Sequence, residues 1–137
     1  MRAEERLRAF PWSQHGVVYA ILFGSSTRRA EARDVDVAVR LEDGGLEAYS
    51  ALLEALTGFL AVDEDRLDLV SLSEELPCHL VVEIYTKGVL VYCRSLEAYL
   101  EDLRRLLNPC LDYLIDQRKL RTTELLLEAV RRLGGRS

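Results

Sequence analysis

The sequence predicts an α/β domain with a helical C-terminal segment, and three observations carry that expectation. Val17-Val18-Tyr19-Ala20-Ile21-Leu22-Phe23 is an unbroken apolar run, rich in β-branched and aromatic residues and closed by Gly24. Residues 34–41 and 66–72 alternate polar and apolar side chains. The segments between these stretches repeat apolar residues at helical spacing instead. Short runs with a period of two read as strands, and a period near 3.6 reads as a helix with one buried face.

Taken in order, residues 3–10 predict a short amphipathic helix ended by Pro11. Residues 17–23 predict a strand buried on both faces, because no position in the run is polar enough to face water. Gly24-Ser25-Ser26 follows at once, and either serine suits the cap of a short helix. Residues 34–41, Asp-Val-Asp-Val-Ala-Val-Arg-Leu, predict a second strand, and Asp43-Gly44-Gly45 a turn. Leu46, Tyr49, Leu52, Leu53, Leu56 and Leu60 form one stripe of a helix over 46–60. Residues 66–72 predict a third strand, and 74–86 a helix with Pro77 in its first turn. Lys87-Gly88 turns into a fourth strand, Val89–Cys93. From Ser95 to about Leu133 the chain reads as helix in two pieces, jointed at Asn108-Pro109 because proline breaks a helix interior but suits a first turn.

At 137 residues the chain fits one domain, residues 1–137, with a core near 15–95 and C-terminal helices near 95–133. Cys78, Cys93 and Cys110 are odd in number and widely spaced, and each has apolar neighbours. They read as small core residues in a reducing compartment rather than as a disulfide framework or a zinc site. The N-terminal residues MRAEERLRAF are charged, without the apolar centre of a signal peptide, and no stretch is long enough to span a membrane. A cytoplasmic location is the resulting expectation. The net charge of −5 and pI near 5.1 argue against a long nucleic acid as partner.

The residues that point to chemistry cluster early. Gly24-Ser25 ends a buried strand where a helix begins, so its backbone can approach an anion closely. Many strand-to-helix turns use such residues for backbone reasons alone. Asp34 and Asp36 are two apart on the second strand and share a face, while Val35, Val37 and Val39 point to the core. Paired carboxylates suit hard divalent cations; the bland alternative is a solvated strand face. Asp68, between Leu67 and Leu69, is the candidate third acid, with Asp63 and Asp65 as rivals in the preceding turn. Like charges about 4 Å apart cost on the order of 4 kcal/mol at an effective dielectric near 20, so convergence of the three would call for a cation or a proton. Arg28, Arg29 and Arg33 lie between the turn and the aspartates, where their planar donor forks suit phosphate, although Glu31 offers a counter-charge.

With these residues in place, the chain resembles the DNA polymerase β-type nucleotidyltransferase superfamily. The likeness rests on Leu22-Phe23-Gly24-Ser25-Ser26 followed by Asp34-Val35-Asp36-Val37-Ala38-Val39. Its length, Leu67-Asp68-Leu69-Val70 and Gly88-Val89-Leu90-Val91-Tyr92 make it similar to the minimal nucleotidyltransferases of prokaryotes. The resemblance implies a small mixed sheet, ATP as substrate and two Mg²⁺ ions. It implies Asp34, Asp36 and Asp68 as metal-binding catalytic residues, Asp68 serving the ion at the acceptor hydroxyl. Gly24, Ser25 and Ser26 would bind phosphate, with Arg28, Arg29 and Arg33 beside them. It further implies transfer of AMP to a hydroxyl of a HEPN-domain protein, as the antitoxin of a toxin–antitoxin pair.

Two departures from the family pattern keep a second reading open. No glycine follows Ser25 in Ser26-Thr27-Arg28-Arg29, and Arg33 precedes Asp34 where a small or acidic residue is usual. The second reading is a module of the same fold that neutralises a HEPN partner by contact alone. A third is a small-molecule transferase of the aminoglycoside-modifying type. His15 and His79 are isolated, and Tyr92, Tyr99 and Tyr113 fit core faces. In the C-terminal segment Leu125-Leu126-Leu127 cannot bury against a single surface, which suggests a partner or a second copy there.

Overall fold

The computed structural model describes residues 2–27 and 34–134. Four strands form one mixed sheet in the order β3-β2-β1-β4, with β1 at Val17–Phe23, β2 at Val35–Leu41, β3 at Leu67–Ser71 and β4 at Val89–Cys93. β1 runs antiparallel to both β2 and β4, whereas β2 and β3 are parallel. The parallel pair follows from what joins it: helix α2, Leu46–Leu60, carries the chain back across one face of the sheet.

Every residue of β1 is buried, as an interior strand covered on both faces requires. A register shift between Val17 and Tyr19 changes the phase of the alternation, so Val18 and Tyr19 both enter the core of the same face. On the opposite face, Val17, Ala20 and Leu22 join Val35, Val37, Val39, Leu67 and Leu69 beneath α2 and helix α1, Ala3–Arg8. Trp12 lies in the same core and donates its indole N–H to the Leu7 carbonyl at 2.7 Å.

The face carrying Tyr19, Ile21, Phe23 and Ala38 is covered by helix α3, Cys78–Lys87, helix α4, Leu96–Asp102, and the start of helix α5, Asn108–Gly134. Pro77 caps α3 rather than entering its first turn, so the helix begins four residues later than its sequence pattern predicts. The expected break at Asn108-Pro109 is instead a π-helical turn, Leu103–Leu107. Pro109 has no N–H and its ring clashes with the carbonyl four residues back, that of Arg105, and the wider turn accommodates both.

A polar network is built into this second core. The Tyr19 hydroxyl donates to Asp102 Oδ2 at 2.8 Å and lies 2.5 Å from the Tyr85 hydroxyl. Asp102 is 4% exposed, and its Oδ1 accepts from Arg40 at 3.5 Å and Arg105 at 3.2 Å. Burial, foremost, raises the pKa of the Tyr19 hydroxyl and pushes that of Tyr85 up to about 12. Both phenols therefore stay protonated and serve as donors at neutral pH.

Two expectations fail in this region. Cys78 and Cys110 are not separate core thiols but a disulfide across 32 residues, leaving Cys93 as the free cysteine. The reason is tertiary: Cys78 opens α3, Cys110 lies in the first turn of α5, and the two helices pack side by side. The inference of a reducing compartment from the cysteines falls with it. Tyr113, expected on a core face, is 53% exposed, because α5 leaves the domain soon after Leu111. Beyond that point Leu120, Leu125, Leu126, Leu127, Val130 and Leu133 are all exposed. Among the described residues no helix is long and apolar enough to cross a membrane.

Candidate active site

The candidate site forms where β1 ends and β2 and β3 begin. Phe23 pairs with Asp36, and Asp36 pairs with Asp68 across the parallel strands, so all three occupy one rung of the sheet. Alternation then decides orientation. Val35 and Val37, like Leu67 and Leu69, are buried beneath α2, which places the Asp36 and Asp68 side chains on the α3 face. Asp34 directly precedes β2 and is exposed, as is Asp68, whereas Asp36 is half-buried.

Gly24 follows the rung directly, and its backbone lies against Asp36. Its φ of +77° lies in the left-handed region. A Cβ there would stand 3.2 Å from Asp36 Cγ and far inside contact distance of Asp36 Oδ2. Glycine is required because the backbone turns sharply and a carboxylate lies against it. The expected helix after the glycine is one 3₁₀ turn, Gly24–Thr27, locked by the Thr27 hydroxyl donating to the Gly24 carbonyl at 2.7 Å. Ser25 is exposed on this turn. The Ser26 side chain and Arg28, Arg29 and Arg33 lie outside the described residues.

Electrostatics tie the acids together. The Asp36 pKa is raised, first by burial, then by the negative charges of Asp68, Asp34 and Glu83. Glu83 belongs to α3 and, with Lys87 one turn further on, faces the glycine turn: Gly24, Thr27, Glu83 and Lys87 line a cavity of about 290 Å³. Asp63 and Asp65, the rival acids, are exposed in the turn before β3. Sequence reasoning missed Thr27, Glu83 and Lys87. The only signal for the last two was their i, i+4 spacing, which puts them on one side of a helix without saying which neighbour that side meets.

The arrangement can hold a cation and an anion next to each other. Among the described residues, no three His, Cys, Asp or Glu side chains already form a metal-binding group. The donor chemistry nonetheless fits Mg²⁺, which commonly uses one or two carboxylates and takes its other ligands from water and substrate phosphates. Acids that raise one another's affinity for a proton are also acids that a cation would neutralise.

A family model described as Polymerase beta, Nucleotidyltransferase matches residues 5–97. The chain belongs to that family. The match contains Gly24, Asp36 and Asp68 and strands β1 to β4 of this nucleotidyltransferase. No curated protein matches the sequence. Among solved structures, the nucleotidyltransferase is similar to a chain in the complex of a tri-AMPylated Shewanella oneidensis HEPN toxin with its MNT antitoxin. That match has TM-score 0.59 and 19% identity, over 90% of this chain and 95% of the other. A toxin–antitoxin structure with AMP-PNP gives TM-score 0.59 and 18% identity over 90% and 95%. A mutant MntA–HpeT toxin–antitoxin gives 0.55 and 20% over 88% and 90%. At these identities the likeness establishes the fold, a mixed four-stranded sheet with flanking helices and a long C-terminal helix.

Proposed function

We propose that this nucleotidyltransferase moves AMP from ATP onto a hydroxyl of a HEPN-domain toxin and so acts as its antitoxin, in the cytoplasm. The observation that carries the reading is the Asp36–Asp68 pair on adjacent parallel strands, with Asp36 lying against the Gly24 turn. The AMPylated HEPN toxin and the AMP-PNP complex among the structural neighbours support the choice of nucleotide and acceptor.

In this reading the Gly24–Thr27 turn, with Ser25 and Ser26, receives the terminal phosphates, and Arg28, Arg29 and Arg33 are proposed as further phosphate-binding residues for their planar donor forks. Asp34, Asp36 and Asp68 are the residues that would hold two Mg²⁺ ions. Bound there, the ions would supply charge stabilisation for the attacking and the leaving oxygen. The acceptor oxygen forms its bond to the α-phosphorus in line with the departing pyrophosphate, whose bridging P–O bond breaks. The half-buried setting of Asp36 strengthens each interaction at the rung by excluding water from one side.

The test is incubation with α-labelled ATP, Mg²⁺ and a HEPN-domain partner. Label should pass to the partner and be lost with Asp36→Ala. Absence of transfer with every nucleotide and metal tried would refute it. The exposed apolar length of α5 favours a second reading, neutralisation by contact, in which a double Asp34→Ala, Asp36→Ala variant still silences the partner. The same surface would serve a homo-oligomer.

A further inference from the structure

The cavity at the glycine turn has a wall of one acid and one base that belongs to α3, remote in sequence from the motif residues. Glu83 and Lys87 stand four residues apart, on the same side of the helix, and line the 290 Å³ cavity together with Gly24 and Thr27. That volume is at the lower limit of small-molecule pockets, roughly 300 Å³, so it suits part of a nucleotide rather than a whole one.

Burial, and then the charges of Asp68, Asp34 and Glu83, raise the Asp36 pKa, and among the described residues that line the cavity Lys87 is the one positive side chain. The sequence has only one other lysine, Lys119. Lys87 is exposed, and among the described residues no ion pair holds it, although Glu83 is a single turn away. Its ammonium is therefore available, on a flexible stem, next to a turn whose conformation admits close approach. Among the described residues lining the cavity, Lys87 is the cation that a polyphosphate placed there would meet.

We propose that Lys87 binds the β- and γ-phosphates of the nucleoside triphosphate in the Gly24–Thr27 cavity and holds the pyrophosphate as it departs. The inference rests on the nucleotidyltransferase reading of the rung and adds to it a phosphate-binding residue on α3. The ammonium donates charge-assisted hydrogen bonds to phosphate oxygens. A monophosphate lacks the β- and γ-phosphates that this ammonium would hold. Selectivity for triphosphate over monophosphate is the consequence.

The experiment measures binding of a non-hydrolysable ATP analogue, AMP and inorganic pyrophosphate to the full chain with Mg²⁺, by calorimetry. It compares the wild type with Lys87→Met and Lys87→Arg. Loss of a charge-assisted hydrogen bond corresponds to a weakening of about 10- to 100-fold. Lys87→Met should weaken the analogue and pyrophosphate by that factor and leave AMP unchanged, and Lys87→Arg should restore most of the loss. Analogue binding by Lys87→Met equal to wild type overturns the proposal, as does a parallel loss of AMP binding. A wild type that binds no nucleoside triphosphate overturns the nucleotidyltransferase reading itself, a different outcome. Lys87 is exposed at the end of α3, so circular dichroism should show both variants folded.

Discussion

Gly24→Ala separates what the glycine does for folding from what it does for the site. Two costs arise in the structure. The first is conformational: an alanine held in the left-handed region, at φ +77°, loses about 1–2 kcal/mol. The second is steric, because the new Cβ invades the space of Asp36 Oδ2. That oxygen is the end of a rotatable side chain, so the clash is relieved by turning the carboxylate rather than by moving strand β2. Stability should therefore fall by about the conformational amount alone, well within the roughly 5–15 kcal/mol of an ordinary domain. Activity should suffer far more, since a displacement of about 1 Å at a reacting centre can cost 100-fold. Urea denaturation of the purified variant measures the first effect, and initial rates of labelled AMP transfer measure the second. An internal control is Gly24→Ala on an Asp36→Ala background, where the clash is gone and the same 1–2 kcal/mol should remain. A Gly24→Ala variant that is destabilised yet transfers AMP at the wild-type rate would refute the argument that Gly24 exists to admit the carboxylate.

Three other perturbations follow from the same structure. Asp36 has a raised pKa, so its contribution to stability is fully present at pH below the ordinary carboxylate value and is lost as pH rises through the raised one. Asp36→Asn should then raise the thermal midpoint at pH 7, the gain vanishing below about pH 4, and Mg²⁺ should stabilise the wild type more than the variant; a variant less stable than wild type at pH 7 would contradict this. Opening the Cys78–Cys110 disulfide, by reductant or by replacing both cysteines with alanine, frees a loop of 32 residues and should cost about 3–4 kcal/mol on chain entropy, read by urea melts with and without reductant. Asp102→Ala leaves the buried Tyr19 hydroxyl without its acceptor, while Arg40 and Arg105 are open to solvent, and should cost about 1–3 kcal/mol; a loss under 1 kcal/mol in denaturant titration would show the network to be dispensable.

Much of this fold was legible in the sequence because its signals are local. The runs 17–23 and 89–93 and the helix 46–60 have the bounds their patterns predict, each being closed by glycine or by a change of hydrophobic period. The alternation at 34–41 correctly sent Val35, Val37 and Val39 to the core and Asp36 to the other face, although Asp34 stands just ahead of the strand. What the sequence hid was tertiary. Nothing in the spacing of Cys78 and Cys110 says that α3 and α5 lie together. Nothing in Glu83 and Lys87 says that their side of α3 looks onto Gly24. The buried partners of Tyr19 come from residues 66 and 83 positions away. The pairing of Asp36 with Asp68 was suspected from their apolar neighbours, but only the parallel register of β2 and β3 places them side by side.

The central claim is that the site built from the Gly24 turn, Asp36 and Asp68 transfers AMP to a protein hydroxyl. Its most direct test is the intact mass of a HEPN-domain partner purified after co-expression with this chain or with its Asp36→Asn variant. The account predicts a partner heavier by whole AMP units with the wild type and unmodified with the variant. A partner of the same unmodified mass in both preparations, yet silenced in both, would contradict it and leave neutralisation by contact.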